Sequence, residues 1–229
     1  MRQSLILVVE DEEAIRTLIG MNLEVAGYAV AEAKDGFQAL QRMRETRPDL
    51  ILLDWMLPGL NGIDILRKMQ VDSSLSSIPV IMLTAKSEES DIVLGLEMGA
   101  IDYITKPFSN KVLVARVRAH LRRQDEPDAD ETSIINYKGL TLDSNQRRAI
   151  LNGVELSLTF SDFELLRLFC SSPGHVYTRQ QIVVRTKGSD YPVTERAVDV
   201  QIVSLRKKLG ADFGVNLETV RGVGYRMRN

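Results

Sequence analysis

The sequence predicts an α/β fold, a doubly wound five-stranded parallel sheet, followed by a smaller α+β domain of the winged helix-turn-helix type. Two observations predict the first half. Short apolar runs alternate five times with helically patterned stretches over residues 1–123. Several of those runs end in a charged or hydroxyl residue, as strands do at the rim of an open sheet. A third observation predicts the second half. After residue 132 the pattern changes to short strands parted by turn signals, then helices, then a basic two-stranded ending. With 229 residues, one or two domains are expected.

Taken in order, Leu5–Val9 is the first buried strand and ends in Glu10-Asp11. Glu12 to Ala26 places Ile15, Leu18, Ile19 and Leu23 at helical spacing, and Gly27 closes the helix. Tyr28 to Ala31 is a strand, and Gly36 to Arg44 a helix with Phe37, Leu40 and Met43 as its stripe. Leu50 to Leu53 lies between two turn signals and ends in Asp54, before a turn at Pro58-Gly59. Ile63 to Met69 is the third helix. Val80 to Leu83 ends in Thr84, and a fourth helix runs from Glu88 to Met98, ended by Gly99. Ile101 to Thr105 ends in Lys106-Pro107, and Asn110 to Arg123 is the fifth helix. Right-handed crossovers wind such a chain into one sheet with helices on both faces.

The strand ends carry the chemistry. Taken alone, Asp54 reads as a turn or helix-capping aspartate. Taken with Glu10 and Asp11 it forms a trio of carboxylates, which repel and raise one another's pKa. A hard divalent cation relieves that repulsion, and Mg²⁺ suits a site of few carboxylates plus waters. The Thr84 hydroxyl and the Lys106 amine suit an anion that the cation also touches. A phosphoryl group on Asp54, acting as carboxylate nucleophile, supplies that anion.

Charge separates the halves. Residues 1–124 hold 15 Lys and Arg against 17 Asp and Glu, and residues 132–229 hold 14 against 9. Between them Asp125-Glu-Pro-Asp-Ala-Asp-Glu131 has no basic residue and reads as a solvated linker. The boundaries expected are 1–123, a linker over 124–132, and 133–229. A basic second half points to a polyanion, although modest positive charge is also ordinary on solvated surfaces. The single cysteine, Cys170, excludes an internal disulfide and reads as a buried core thiol. No apolar run reaches the roughly 18–20 residues of a membrane span, so no membrane insertion is expected. The first apolar run is only five residues long, unlike a signal peptide, which gives a cytoplasmic reading.

In the second half, Ile134–Tyr137, Leu140–Leu142, Arg148–Leu151 and Val154–Leu156 are short antiparallel strands, with Asn152-Gly153 a hairpin signal. Thr159-x-x-Asp162 resembles a capping box and opens a helix with Phe163, Leu166, Phe169 and Cys170 inward. Ser172-Pro-Gly174 stops it, and Arg179 to Arg185 is a second short helix. Thr194 to Leu209 is the third. Val198, Ile202, Leu205 and Leu209 make its inner stripe; Arg196, Val200, Val203, Ser204 and Lys207 lie opposite. Two strands joined through Gly222-Val223-Gly224 follow, with Arg221, Tyr225, Arg226 and Arg228. A helix and then a basic hairpin is the winged-helix pattern, with the helix in the major groove and the wing on the backbone.

Residues 1 to about 123 resemble the receiver domain of two-component response regulators. The resemblance is carried by Val8-Val-Glu-Asp-Glu12, Leu52-Leu-Asp-Trp-Met-Leu-Pro-Gly59, Met82-Leu-Thr-Ala85 and Gly99-Ala-Ile-Asp-Tyr-Ile-Thr-Lys-Pro-Phe108. It implies the strand order 2-1-3-4-5 and a cis Lys106-Pro107 bond. It makes Asp54 the phosphoacceptor, and Asp11, Asp54 and the Met56 carbonyl the Mg²⁺ ligands, with Glu10 acting through water. Thr84 and Lys106 then hold phosphoryl oxygens, and Tyr103 is an aromatic switch. The only chemistry implied is the receiver's own phosphorylation and dephosphorylation. A phosphatase using Asp54 is the enzyme alternative, but such enzymes usually add an acid where this chain has Met56.

Residues 132–229 resemble the effector domain of OmpR/PhoB-type regulators, through Val198-Asp-Val200, Leu205-Arg-Lys-Lys-Leu209 and Thr219-Val-Arg-Gly-Val-Gly-Tyr-Arg226. The resemblance places Arg196, Val200, Gln201, Val203, Ser204 and Arg206 at double-stranded DNA, with Thr219, Arg221 and Tyr225 around the wing. Valines in a groove can touch thymine methyls. The loop from Thr186 to Val193 contacts RNA polymerase in activators of this kind. Lys187 stands where members often carry Trp, which leaves activation and repression both open.

In this subfamily the face of the fourth helix, fifth strand and fifth helix forms the homodimer. Val93, Leu96 and Ala115 match its apolar patch; Asp102 with Arg116, and Glu97 with Arg118, match two of its salt bridges. Ile92, Ile101 and Val112 replace charges; the exchange can be neutral in stability, and either way it is expected to enlarge the exposed apolar patch, which favours association without phosphate. The reading is a regulator phosphorylated by a sensor histidine kinase, dimerising and binding tandem half-sites. The alternative is a dimeric DNA-binding protein that needs no phosphorylation.

Overall fold

The computed structural model describes residues 3–72, 74–85, 94–95, 98–125, 133–187 and 195–229, with the side chains of 122–125, 187 and 195–197 left aside. The chain divides into two compact units, Met1–Pro127 and Asp128–Asn229.

The first unit is built on β1 (Leu5–Val9), β2 (Ala29–Ala33), β3 (Leu50–Asp54), β4 (Val80–Thr84) and β5 (Asp102–Thr105). Its sheet is parallel, in the order β2-β1-β3-β4-β5. All five residues of β3 and of β4 are buried, as their unbroken apolar character requires. The helices are α1 (Glu13–Val25), α2 (Gly36–Thr46), α3 (Gly62–Val71) and α4 (Asn110–Asp125). The Asp35 and Asn61 side chains cap α2 and α3, accepting from the amides of Gln38 and Asp64 at 2.8 and 2.9 Å. The helix expected over 88–98 falls outside the described residues except at Leu94, Gly95 and Met98. The Lys106-Pro107 bond is cis, as expected.

Several boundaries shift by one or two residues from the sequence reading, and two of the shifts bear on the argument. β2 starts at Ala29 rather than Tyr28, because the Tyr28 amide donates to the Leu23 carbonyl (3.0 Å) and the Gly27 amide to that of Glu24 (2.9 Å). Those two bonds close the end of α1 and use the donor that would have begun the strand. Helix α4 runs on to Asp125, so the first two residues of the expected linker are helical; residues 126–132 lie outside the described set.

The second unit opens with the antiparallel sheet β6-β7-β8-β9, from Ile134–Tyr137, Leu140–Asp143, Arg148–Leu151 and Val154–Glu155. Helix α5 (Phe160–Ser171) starts with a complete capping box between Thr159 and Asp162. Helix α6 is Arg179–Lys187, and α7 is Glu195–Gly214, broken at Gly210 where φ is +78°. The predicted inner stripe of α7 is buried, from Val198 through Ile202 and Leu205 to Leu209, in one core with Phe163, Leu166 and Phe169.

The wing is larger than a hairpin. β10 (Tyr177–Thr178) pairs with β12 (Gly224–Met227), which pairs with β11 (Leu217–Val220). The close approach of β10 explains Gly224, where a Cβ would stand 2.0 Å from the Tyr177 carbonyl oxygen.

Candidate functional site

The register of the first sheet brings the predicted chemical groups level. Val9 pairs with Leu53, Asp54 with Leu83, and Thr84 with Thr105. The ladder continues one step past the strands, with the amides of Glu10, Trp55 and Lys106 donating to Ala33, Leu83 and Thr84. The residues that end neighbouring strands therefore converge at one edge.

At that edge Glu10, Asp54 and Thr84 are buried and Asp11 is exposed. One carboxylate oxygen from each of Glu10, Asp11 and Asp54 lies within 4.8 Å of the others. Oxygen donors gathered so closely fit a hard divalent cation such as Mg²⁺. The Lys106 amine donates to Glu10 Oε2 at 2.6 Å and to Asp54 Oδ2 at 2.9 Å. Burial pushes the Glu10 carboxyl up, against the pull of its bond from Lys106. Burial would lower the Lys106 amine, but its two carboxylate partners outweigh that and hold it above its ordinary value. The Met56 amide donates to Asp54 Oδ1 at 3.3 Å, leaving the Met56 side chain exposed. Trp55, next to Asp54, is 8% exposed and packs toward Gly95. Tyr103 is partly buried, and its hydroxyl is pushed up by burial and by the Asp102 charge.

The expected dimer face is only partly described: Ile92, Val93, Leu96 and Glu97 lie outside the described residues. Among the rest, Val112 is 47% exposed, and Ala115 and Arg118 are exposed. Ile101 corrects the sequence reading. It is 2% exposed, because its amide donates to the Val80 carbonyl and it lies at the foot of β5, so it adds no apolar surface. Asp102 is buried and bound within its own chain. Arg116 Nη1 reaches both its oxygens at 3.1 and 2.9 Å, and His120 Nε2 lies 3.3 Å from Oδ2. Burial works against the Asp102 charge, but His120 and Arg116 hold the carboxyl below its usual range.

In the second unit Val203, Lys207, Thr219 and Arg221 are exposed, and Val200 and Ser204 partly so. The Arg196 side chain lies outside the description. Two predicted DNA residues turn inward. Gln201 is 7% exposed because it falls beside the inner stripe of α7, and its Nε2 has no hydrogen-bond partner among the described residues. Tyr225 is 5% exposed and donates its hydroxyl to Asp199 Oδ1 at 2.7 Å. Arg179 Nε reaches the same oxygen at 2.7 Å. Burial opposes ionisation of Asp199, but these two partners win and lower its pKa. Arg206 lies partly over the wing, donating to the Leu217 carbonyl and to Thr219 Oγ1.

The sequence reading missed Asp199, Arg179 and Glu218. Glu218 on β11 binds Arg226 (2.9 Å) and Arg228 (2.5 Å), so two of the wing's arginines are already paired. Cross-strand pairing of Glu218 with Arg226 was the one legible signal, once the hairpin register is known. Arg221 and Lys207 have no ion-pair partner among the described residues.

Comparison with known proteins agrees with both halves. Residues 6–118 match the response regulator receiver domain, and residues 153–227 match the C-terminal domain of transcriptional regulatory proteins. The chain is 45% identical to the phosphate regulon transcriptional regulatory protein PhoB of Pseudomonas aeruginosa, over 96% of each chain. It is 44% identical to the DNA-binding response regulator MtrA of Mycobacterium tuberculosis, over 99% of this chain and 97% of that one. Among solved structures, a RitR mutant aligns with a TM-score of 0.81 at 28% identity over 99% of both chains. DrrB, an OmpR/PhoB homologue from Thermotoga maritima, aligns with a TM-score of 0.52 at 28% identity over the whole of both. With its five-stranded receiver sheet, its winged-helix second unit and these relatives along its length, the chain belongs to the OmpR/PhoB-type response regulators, the DNA-binding transcription regulators of two-component systems.

Proposed function

We propose that this regulator is switched by phosphorylation of Asp54 from a sensor histidine kinase in the cytoplasm. The observation that carries the proposal is the Lys106 amine, bound at once to Asp54 and Glu10 at the edge where Asp11 also lies. A carboxylate oxygen of Asp54 attacks the donor's phosphorus, an acyl phosphate forms, and the bond to the donor's nitrogen breaks. Asp11, Asp54 and the Met56 carbonyl would hold Mg²⁺, with Glu10 through water. The cation supplies charge neutralisation for the transferring phosphoryl group. Lys106 and Thr84 then take the phosphoryl oxygens, and Lys106 must leave Glu10 or Asp54 to do so. Tyr103 reports the change toward the dimer face.

The output reading is a homodimer on tandem DNA half-sites, its Ala115, Arg118 and Val112 side facing a second copy. Val200, Val203, Ser204 and Lys207 face the major groove, with Thr219 and Arg221 at the backbone. RNA polymerase is the further partner, through a loop over 186–193 that lies almost wholly outside the described residues. Among the described residues, no helix is long and apolar enough to cross a membrane.

Asp54→Asn tests the core of this reading. It should abolish acyl-phosphate (hydroxylamine-labile) labelling by a small phosphoryl donor in the presence of Mg²⁺, while the variant still folds. Undiminished labelling would place the acceptor elsewhere. Full DNA binding by unlabelled protein would instead favour the phosphorylation-independent reading.

A further inference from the structure

Arg16 lies in the first turns of α1 and reaches back over the loop that carries the two adjacent acids. Its Nη1 donates to the Glu10 carbonyl at 2.8 Å and to the Asp11 carbonyl at 3.3 Å. Its Nε donates to Glu32 Oε2, on β2, at 3.2 Å. The side chain is 13% exposed, so the fork is held rather than waving in solvent. The Glu10 amide is held by the Ala33 carbonyl and its carboxylate by Lys106, but the carbonyl side of both peptides faces Arg16. Glu12, the N-cap of α1, makes no side-chain capping bond.

Glu32 is itself given room. Gly20 is buried within α1, one turn beyond Arg16, and a Cβ there would lie 3.2 Å from Glu32 Oε1. Among ordinary residues glycine is the weakest helix former after proline. An alanine would suit the helix better, and would push on the carboxylate that braces Arg16.

We infer that Arg16, braced by Glu32, is a positioning residue for the cation-binding carboxylates of Glu10 and Asp11. The inference rests on reading Glu10, Asp11 and Asp54 as a Mg²⁺ site. Two consecutive carbonyls fixed by one planar guanidinium fix two peptide planes, and those planes set the directions in which both acidic side chains leave the backbone. Groups that orient ligands without touching the metal commonly matter about 10–100-fold in affinity. The sign of the effect separates positioning from simple charge. Arg16 is a cation near a cation site, so by Coulomb's law alone its removal would strengthen Mg²⁺ binding. A loss can come only from misplaced ligands.

The test is calorimetric titration of Mg²⁺ into the full-length chain, beside thermal unfolding without the ion. Arg16→Ala should weaken binding about tenfold or more. Arg16→Lys keeps the charge but not the fork, and should recover only part of the loss. Gly20→Ala changes no charge, so its expected measurable loss of binding carries the test if Arg16→Ala does not fold. Glu32→Gln should weaken binding too, but loss of an anion contributes to that by Coulomb's law alone. Asp11→Ala is the control and should remove binding. Should Arg16→Ala, Glu32→Gln and Gly20→Ala bind Mg²⁺ as tightly as the parent, or more tightly, while Asp11→Ala does not bind, the positioning role is overturned. If Asp11→Ala still binds fully, the cation site itself is misplaced and the role falls with it.

Discussion

At Cys170 burial alone decides the chemistry. The thiol is pushed up to about 12 from an ordinary 9.0, with no charged partner to offset the loss of water. The native protein should therefore not react with a thiol-specific disulfide reagent at pH 8, and should react once unfolded. Rapid native reaction would contradict the buried placement. The folded pKa lies above the unfolded one, so this contribution to stability is complete below about 9 and is lost as pH rises toward 12. Denaturation midpoints measured between pH 8 and 11 should fall accordingly. The site residues differ in how far the sequence reveals them. Asp54, Thr84 and Lys106 were legible because each follows an apolar run, and the strand period fixes where a run ends. Arg16 and Glu32 were not, because a contact across 16 positions leaves no periodic trace.

At the scale of one element, the wing has fewer available charges than its composition suggests. Glu218 holds Arg226 and Arg228, and these partners keep its carboxyl below the usual range. Arg221 at the tip is exposed and lacks such a partner among the described residues. Arg221→Ala should therefore weaken binding to all DNA sequences alike and lower the salt slope by about one unit, if one phosphate contact is lost. Glu218→Gln should act in the opposite direction. It frees two arginines, so binding to non-specific DNA should tighten and its salt dependence steepen. Fluorescence anisotropy across a salt series reads both; an unchanged slope in Glu218→Gln would mean that Arg226 and Arg228 lie away from the phosphates. The inner stripe of α7 was plain in the sequence, since four apolar residues at helical spacing have one packing solution. Strand β10 was not. Two residues are too short for a period, and its pairing with β12 is set by position in space rather than by its own sequence.

For the whole molecule, association is where sequence and structure part. Three apolar replacements on the expected dimer face suggest a chain that pairs without phosphate. Ile101 is buried and contributes nothing, and Asp102 is already satisfied by Arg116 and His120 of its own chain. Of the described replacements only Val112 adds exposed apolar area. Phosphate-independent dimerisation should then be weak, and Val112→Glu should remove it. Sedimentation of the full chain at micromolar concentration, at low and high salt, measures this. Strong association that Val112→Glu leaves untouched would put the interface on another surface. The division into two units was legible in the charge change near residue 125, because a run of acids relieved only by Pro127 and Ala129 has too little apolar surface to join a core.

Trp55 has a consequence of a different kind. It is the only tryptophan in the chain, it adjoins Asp54, and it is packed rather than solvated. Its near-ultraviolet emission comes from a single address beside Asp54, undiluted by any other indole. The molecule thus carries its own optical gauge. A change in that light on adding an ion or a phosphoryl donor can be assigned to the first unit without attaching a dye.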